Sequence, residues 1–524
     1  MREMKRAYII GAIVAVIAIV AGLSAVLFVA PPSREVVTSI VTVPGGERVV
    51  TLVTTVAGRE VTQVVTQERV VTQVVTVERP KLIIWWNKGY YAEEDLALMQ
   101  AAQEFGRLKG ADVEVSFFTT EDIPKKLIAA LEAGNPPDVA YAHFEDWMLS
   151  PRWAWDGLLE DVSDIVNENK DRYIPEALQT AWLYNNKEKK YSYYKVPMQM
   201  QTIHIHYWKD FVAEAGFDPA PEKIPRTWDE FWNFWFTVQD RLRAKDPEKY
   251  REVYAVGWTL GTGSTDAFYN FETIYLYYAK KPIVTPDGKL NLDDPDVREA
   301  LINTFKFIVN LHEKGYNPPG SLTWTDPDNN VAFHARKIVM VPNPTISIPA
   351  AQYFGAVGSR ENYYTKMATV DWPTGPDGRE PPRLIAVKSL LVFKASKNKE
   401  LAKDFIRYFI SKDILNAYTK ASAGRWAPVF KDILNEDKFY FEGFKAGAAT
   451  FGAPGDPHVP VAYNQFRTGK LVPFYYVYHP AYSQVYAERT WIVYLNKVIV
   501  EKYPLEKAVD EAIARVKQIF AEWK

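Results

Sequence analysis

From Lys81 onward, apolar positions follow two alternating periods, which predict strands and helices in turn. Short apolar runs predict strands at 82–86 and 138–142, and the alternation of Val113, Val115 and Phe117 predicts one at 113–117. Between them, apolar residues three or four positions apart predict amphipathic helices over 93–108 and 124–134. Strand and helix in alternation, with short connections, predict right-handed βαβ units and a parallel sheet. The chain is therefore expected to have an α/β fold.

This arrangement also predicts where a ligand binds. In open α/β sheets, ligands lie beyond the carboxyl ends of the strands. Trp86 and Asn87 end the first predicted strand, Tyr90 follows it, and His143 follows the third. Because adjacent strand residues face opposite sides, we expect Trp85 in the core and Trp86 towards the ligand.

The same alternation continues towards the C-terminus. Helices are predicted over 294–315, over 399–410 and from Pro504, with strands at 337–341 and 390–394. Alternating elements over more than 400 residues exceed one α/β lobe. We therefore predict two lobes with a cleft between them.

An uncharged apolar run, Ala7–Ala30, precedes the alternating region. A helix of 24 residues, at about 1.5 Å per residue, spans a hydrocarbon core of about 30 Å. Arg2, Lys5 and Arg6 precede the run, so the N-terminus is expected in the cytoplasm and the rest outside. We predict a single-pass signal anchor that contacts membrane lipid through residues 7–30. Cleavage near Leu27–Ala30 is the alternative.

Residues 31–80 lack aromatic side chains and consist largely of Val and Thr. A motif with a charged pair followed by Val and Thr recurs four times, beginning at Arg34, Glu47, Arg59 and Glu68. Without bulky side chains the segment builds no core, so we predict an extended stalk, with a reach on the order of 100 Å. The spacing of Val64, Val71 and Val74 leaves a parallel coiled coil open. The Thr residues leave O-linked sugar open.

Composition narrows the chemistry. The formal net charge of -2 gives no electrostatic reason to expect nucleic acid. The chain has no cysteine, which excludes disulfides, thiolate catalysis and lipid attachment at an N-terminal Cys. Aromatic residues form 14% of the chain and supply either large cores or apolar platforms for a ligand. His204 and His206 share one strand face, but no third metal ligand is identifiable, so we predict a structural role and no metal or cofactor.

Six stretches resemble, in order, the sugar-binding family of extracellular solute-binding proteins of ABC importers, which includes maltose-binding protein. Their sequences are LIIWWN, LIAALEAGNPPDV, KVP with IHIHY, PRTWDEF, FHARKIVM and ASKNKELAKDFI. Together they run over most of residues 81–524. The resemblance implies a two-lobed periplasmic-binding-protein fold, type II-like, whose lobes close about a hinge.

The resemblance also implies where the chain passes between the lobes. The expected crossings lie near Val196–Gln201, near Pro373–Leu390 and after Ile410. Lobe 1 is accordingly expected at residues 81–198 with about 373–410, and lobe 2 at 199–372 with about 411–524.

The implied partners are the transmembrane permease subunits of an ABC importer and a separate ATPase, because the chain contains no Walker A motif. Two features depart from the family. The missing lipidation Cys fits an archaeal surface protein anchored by a helix. The segment 432–482 is longer and more aromatic than the family usually shows.

Candidate ligand-binding residues combine rings, which stack on the C–H faces of sugars, with polar groups for the hydroxyls. The resemblance places polar contacts at Gln201 and at Asn343 and Thr345. Further aromatic candidates are Trp258, Trp372, Trp426 and Tyr482. With the strand-end residues, the expected site is Trp86, Asn87, Tyr90, His143, Gln201, Trp258, Asn343, Thr345, Trp372, Trp426 and Tyr482.

These observations predict an extracytoplasmic receptor without catalytic activity. It captures a carbohydrate, expected to be an oligosaccharide, and delivers it to a permease. A membrane-anchored glycoside hydrolase is one alternative and requires two carboxylates about 5–10 Å apart. A surface adhesin is the other.

Overall fold

The computed structural model describes residues 36–42, 48–56, 59–66, 69–73, 79–143 and 145–523. The chain divides into two compact units, one up to Pro80 and one from Lys81. The predicted anchor helix, Ala7–Ala30, lies outside the described residues. Within the described ranges, no helix has the length and apolar character needed to cross a membrane.

The first unit contains a four-stranded antiparallel sheet in which neighbouring strands are consecutive in the chain. Its strands are β1 (Val36–Thr42), β2 (Arg48–Val56), β3 (Arg59–Thr66) and β4 (Arg69–Gln73). Each strand therefore begins within one copy of the repeated motif. Val64 and Val71, which left a coiled coil open, face each other across β3 and β4. β-branched residues favour this paired, extended backbone.

The second unit begins with the predicted βαβ units. β5 (Lys81–Asn87) pairs in parallel with β6 (Asp112–Phe118) on one side and with β7 (Val139–Tyr141) on the other. The connecting helices are Ala92–Lys109 and Ile123–Glu132. These elements confirm the α/β interpretation of the opening 60 residues.

These three strands belong to a seven-stranded sheet, called sheet 1 below. Its order is β16-β10-β15-β7-β5-β6, and β17 pairs with β15. The added strands are β10 (Val196–Gln201), β15 (Arg383–Val392), β16 (Ala427–Pro428) and β17 (Leu471–Pro473). A separate hairpin pairs β8 (Trp182–Asn185) with β9 (Lys190–Tyr193).

Sheet 2 has four strands in the order β12-β13-β11-β14. They are β11 (His204–Trp208), β12 (Tyr254–Val256), β13 (Ile338–Asn343) and β14 (Met367–Val370). The chain passes from sheet 1 to sheet 2 between Gln201 and His204, and returns between Val370 and Arg383. Both passages lie near the expected crossings.

The segment after Ile410 takes a different course from the one expected. Residues 411–524 were assigned to the second lobe, but β16 and β17 both join sheet 1. Lys412–Ala421 also packs against Ala92–Lys109, the first helix on sheet 1. The C-terminal helices instead pack with the elements around sheet 2, where Trp491 and Leu495 are buried. The lobe boundaries stay a prediction.

Helices cover both sheets. The predicted helices over 294–315, 399–410 and from Pro504 are confirmed as Pro295–Glu313, Lys399–Phe409 and Leu505–Glu522. The remaining α-helices are Ser150–Trp155, Ser163–Glu168, Pro175–Gln179, Lys209–Glu214, Trp228–Lys245, Pro247–Tyr250, Thr265–Tyr278, Asp328–His334, Ser347–Phe354, Lys412–Ala421, Lys431–Glu436, Phe439–Glu442, Lys445–Ala448, Val459–Thr468, Tyr482–Ala487 and Thr490–Glu501.

Candidate functional site

Elements of both sheets surround one cavity of about 260 Å³. Most of its lining residues carry polar side chains, and they include five of the eleven predicted site residues. These are Tyr90, His143, Gln201, Asn343 and Thr345. We call this space the cleft cavity. Its remaining lining residues are Thr120, Glu121, Gly263, Asp266, Thr325, Asp326, Pro327, Asn330, Pro344, Ser347 and Arg425.

The first wall comes from the carboxyl ends of the three parallel strands. Tyr90 follows β5, Thr120 and Glu121 follow β6, and His143 follows β7. Because β5, β6 and β7 run in the same direction, their exits meet at one edge of sheet 1. Tyr90 is 44% exposed and offers its ring to the cavity.

The opposite wall follows the end of β13 in sheet 2. The Asn343 amide donates to the Thr345 carbonyl at 2.7 Å and to the Ser347 hydroxyl at 3.1 Å. The Thr345 hydroxyl accepts from the Ser347 backbone N–H at 3.1 Å. Asn329 donates to the Asn343 carbonyl oxygen at 3.1 Å. These bonds hold the turn between β13 and the helix Ser347–Phe354 in one conformation.

Two residues that line the cavity each carry a buried acceptor without a donor among the described residues. Gln201 ends β10, is 3% exposed, and its Oε1 has no partner in the described part of the chain. Asn330 is 4% exposed, and its amide nitrogen donates to Ser347 at 3.0 Å, but its Oδ1 likewise lacks a described partner. A buried acceptor left unpaired costs about 1–3 kcal/mol. Both atoms are therefore suited to accept a hydrogen bond from a ligand.

The N-terminus of the helix Thr265–Tyr278 forms the acidic side of the cavity. The Ser264 hydroxyl caps this helix by accepting from the Ala267 N–H at 3.2 Å. The Asp326 carboxylate accepts from the Ser264 and Thr265 hydroxyls, both at 2.5 Å, and from the Asp266 N–H at 3.1 Å. Burial and the neighbouring Asp326 raise the pKa of the Asp266 carboxyl well above its usual value.

Arg425 brings positive charge to the cavity. Its guanidinium lies 4.9 Å from the Tyr90 ring and 4.4 Å from the Trp426 ring. It is paired with the buried Glu94 at 3.5 Å, and Trp426 Nε1 also donates to Glu94 at 3.3 Å. Burial raises the pKa of Glu94, while Arg425 lowers it. The pair therefore fixes Arg425 against the wall that carries Tyr90.

Lys388 lies behind His143. Its Nζ donates to the His143 carbonyl at 3.0 Å and lies 5.4 Å from the Trp426 ring. Burial lowers the pKa of His143 well below its usual value, and the charges of Lys388 and Arg425 lower it further. His143 is therefore a neutral imidazole at the cavity.

The other six predicted site residues do not line the cleft cavity. Trp86, Trp258, Trp372, Trp426 and Tyr482 are at most 2% exposed. Trp86 packs against Tyr141, Phe409 and Tyr418 and donates to the Tyr418 hydroxyl at 3.0 Å. Trp85 was expected in the core and Trp86 towards the ligand, and this expectation was wrong. In the structure, Leu82, Ile84 and Trp86 form the buried face of β5, and Trp85 lies on the half-buried face. Asn87 donates to the Lys88 carbonyl at 2.9 Å.

The remaining aromatic candidates fill cores. Trp258 packs against Trp232 and Phe307, and Trp372 donates to the Ile203 carbonyl at 2.9 Å. Tyr482 accepts from Trp491 Nε1 at 2.9 Å. Trp426 lies just behind the cavity wall, with its ring 5.7 Å from His143. Large rings contribute most when fully removed from water, which accounts for their burial here.

The two strand histidines are buried parts of sheet 2. His206 lies within hydrogen-bond distance of the Thr369 hydroxyl, at 2.8 Å, and of the Thr345 carbonyl, at 3.1 Å. His204 lies 3.1 Å from Gln465 Oε1. Burial lowers the pKa of both to about 3. Among the described residues, no group of three or more His, Cys, Asp or Glu could hold a metal ion.

Several cavity residues were missed by the sequence interpretation. Thr120 and Glu121 follow the second parallel strand, so the rule that identified Tyr90 and His143 also applies to them. Asp266 and Asp326 carry a weaker signal, because neither directly follows one of the predicted strands. Arg425 directly precedes a predicted residue, Trp426, whose ring faces the core.

The chain was also compared with known proteins. The sequence profile of the bacterial extracellular solute-binding protein family matches residues 100–444. No curated protein matches the chain. Solved structures of the same fold include an ABC transporter solute-binding protein from Thermotoga lettingae bound with alpha-D-tagatose. It is 22% identical, with a TM-score of 0.65, over 84% of this chain and 99% of that one.

Two further structures cover 84% of this chain and 100% of their own. Maltose-bound MalE3 of T. maritima is 19% identical, with a TM-score of 0.62. The Thermus thermophilus maltotriose binding protein, bound with maltotriose, is 19% identical, with a TM-score of 0.60. At these identities the structures establish the fold. The family match, together with this fold and a polar cavity at the ends of its strands, shows that the chain belongs to the extracellular solute-binding proteins.

Proposed function

We propose that this chain is the extracytoplasmic receptor of an ABC importer and that it captures a carbohydrate in the cleft cavity. The observation that carries the proposal is the pair of buried acceptors without described partners, Gln201 Oε1 and Asn330 Oδ1, in a cavity between two sheets. A solute-binding protein carries its ligand without changing it, so no catalytic role is assigned to any residue.

The lining favours a polyhydroxylated ligand. A sugar hydroxyl both donates and accepts, so it can satisfy Gln201 and Asn330 as well as the Asp266 carboxyl. Tyr90 supplies one exposed ring for a C–H face. The related structures described above hold tagatose, maltose or maltotriose. Contacts of Tyr90, His143, Gln201, Asn343 and Thr345 with a sugar follow as part of the proposal.

Delivery requires that the ligand-bound receptor differs in conformation from the empty one. The chain passes between the sheets beside Gln201, which also lines the cavity, so a ligand held there touches the connection between the two halves. A ligand that binds the closed arrangement more tightly shifts the population towards it. The closed form then docks on a permease powered by a separate ATPase.

Attachment to the membrane is the remaining part of the proposal. The apolar run Ala7–Ala30 supplies a helical anchor, and the Val/Thr segment that follows separates the binding unit from the lipid surface. The binding unit then lies outside the cell, as the family name implies.

The proposal is tested by isothermal titration calorimetry of the purified protein with a panel of mono- and oligosaccharides, including maltose and maltotriose. We expect saturable binding of at least one sugar, which Gln201→Ala weakens. Release of hydrolysed sugar from the bound ligand would overturn the receptor function and favour a glycoside hydrolase. Absence of saturable binding to every sugar would favour an adhesin.

A further inference from the structure

We propose that the cleft cavity selects sugars that carry a protonated amino group, with Asp266 as the counter-ion that faces the ligand. This inference rests on the proposed function, because it names the class of sugar taken at the same site. It goes further in specifying a charge preference that a merely polar cavity does not have.

The charged groups at the cavity are unequal in number. Three carboxylates line it, from Glu121, Asp266 and Asp326, against one guanidinium, from Arg425. Arg425 is paired with the buried Glu94 at 3.5 Å. Lys388 directs its ammonium to the His143 carbonyl and lies behind the wall. With Asp266 ionised, the three carboxylates outnumber the two nearby cations, Arg425 and Lys388, and a cationic ligand is favoured over an anionic one.

The two aspartates at the helix start differ in what they bind. Asp326 accepts two hydroxyl hydrogen bonds and one from a backbone N–H, so its lone pairs are largely engaged by the protein. Asp266 is next to it, but none of the described residues donates a hydrogen bond to its side chain. The Asp266 carboxylate is the one of this pair that is left for a ligand.

The neutral amide side chains at the cavity also favour a ligand that donates hydrogen bonds. Gln201 and Asn330 each keep a buried acceptor oxygen at the cavity without a partner among the described side chains and backbone groups. An alkylammonium group carries three N–H donors and no acceptor. A carboxylate with two amide oxygens in one cavity therefore matches the donors of a sugar ammonium. A hydroxyl at the same place donates only one hydrogen.

Binding of a cation is expected to release a proton. Burial and Asp326 raise the pKa of Asp266, and Lys388 and Arg425 lower it. Glu121 and the neutral His143 complete the titratable groups at the cavity. Without ligand, Asp266 holds a proton at acidic pH. When the ammonium arrives, the Asp266 O–H bond breaks, the carboxylate pairs with the ammonium, and the proton leaves to solvent. Affinity for the amino sugar therefore rises with pH while the ligand stays protonated.

The experiment compares matched sugar pairs on the full-length protein by calorimetry at pH 5 and pH 7. The pairs are glucosamine with glucose, galactosamine with galactose, and mannosamine with mannose, together with maltotriose as a neutral oligosaccharide. We expect at least one amino sugar to bind about tenfold or more tightly than its neutral partner, because its ammonium forms a charge-assisted hydrogen bond with the Asp266 carboxylate. We also expect this preference to shrink at pH 5.

The isosteric variant Asp266→Asn tests the role of that carboxylate. It should remove the preference and its pH dependence, so that each amino sugar binds the variant no more tightly than its neutral partner does. Asp229→Asn, which removes an exposed aspartate outside the cavity, should keep both. Preference retained in Asp266→Asn would overturn the assignment.

The two proposals fail in different ways. If maltotriose or another neutral sugar binds and no amino sugar binds better than its partner, the charge preference is wrong and the receptor function stands. If no sugar of either kind binds, the carbohydrate function falls and the charge preference falls with it.

Discussion

The cleft cavity and the aromatic core around Trp86 both involve residues in β5 or just after it, but their surroundings differ in polarity. Trp86, within β5, is 1% exposed and packs among rings, whereas Tyr90, four residues later, is 44% exposed at the cavity. The cavity carries amides, hydroxyls and carboxylates, whereas Trp86 is surrounded by the rings of Tyr141, Phe409 and Tyr418. Position relative to the strand end, and not the size of the ring, separates a ligand-facing residue from a core residue.

Removing the ring on the core side should have the largest effect. Trp86→Ala is expected to lower the free energy of unfolding by about 3–5 kcal/mol, because a fully buried indole leaves a cavity and its hydrogen bond to Tyr418 is lost. Denaturant unfolding measures this change. Sugar affinity of the folded fraction should stay near that of the wild type. A loss of affinity with stability intact would return Trp86 to the binding site and break the comparison.

A buried carboxyl in the separate aromatic cluster that contains Tyr482 and Tyr486 should make stability depend on pH. The pKa of Glu272 is raised to about 8, because burial raises it by more than the nearby hydroxyls of Tyr482 and Tyr486 lower it. The folded protein therefore binds a proton that the unfolded chain releases near its ordinary pKa of about 4.3. Stability falls as pH rises from about 4.3 to 8, by at most about 1.4 kcal/mol per pH unit, and levels off above 8.

Glu272→Gln should flatten this dependence in urea unfolding between pH 5 and pH 9. Asp266 contributes a slope of the same sign, so the measured quantity is the difference between the variant and the wild type. Glu93→Gln, at an exposed position, serves as the control and should keep the full slope. An identical slope in Glu272→Gln and the wild type would show that this carboxyl is ionised in the core.

On the cavity side, the expected effects concern affinity. Gln201→Ala should weaken sugar binding by about 1–3 kcal/mol, about five- to 150-fold, if its free acceptor bonds the ligand. Its stability should change little, since Oε1 has no partner in the described protein to lose. Calorimetry and unfolding on the same sample separate the two quantities. Unchanged affinity would exclude Gln201 from the contact set.

Tyr90→Ala should have the smallest effect of the four. One exposed ring stacked on a sugar contributes about 1 kcal/mol, or roughly fivefold in affinity. Substitution at such an exposed position changes stability by about 0.5 kcal/mol or less. Comparing Tyr90→Ala with Trp86→Ala separates a ligand-facing ring from a core ring. The two residues lie four positions apart, but the first substitution should affect sugar affinity and the second the free energy of unfolding.

The sequence allowed more of the fold than of the site to be predicted. Hydrophobic periodicity identified β5, β6 and β7 with their helices, and the rule for strand exits led to Tyr90 and His143. Residue type alone was a poor guide for Trp258, Trp372 and Tyr482. A ring that stacks on sugar and a ring that fills a core have the same composition, and only three-dimensional packing distinguishes them.

Charged cavity residues were harder to find for another reason. Asp266 and Asp326 are 60 residues apart and meet only because two helix starts converge. The return of β16 and β17 to sheet 1 depends on similarly long-range pairing. Local patterns carry little information about such contacts.

In the four-stranded sheet of the N-terminal unit, an even or odd number of strands decides at which end of the sheet the chain leaves. In an antiparallel meander, an even number of strands brings the chain out at the end of the sheet where it entered. Val36 and Gln73 lie at nearly the same level through the pairs Val36–Thr54, Val53–Thr62 and Thr62–Gln73. They are separated by three strand spacings, about 14 Å. Gain or loss of one motif copy would move the exit to the opposite end, so copy number would set the direction in which the chain leaves this sheet.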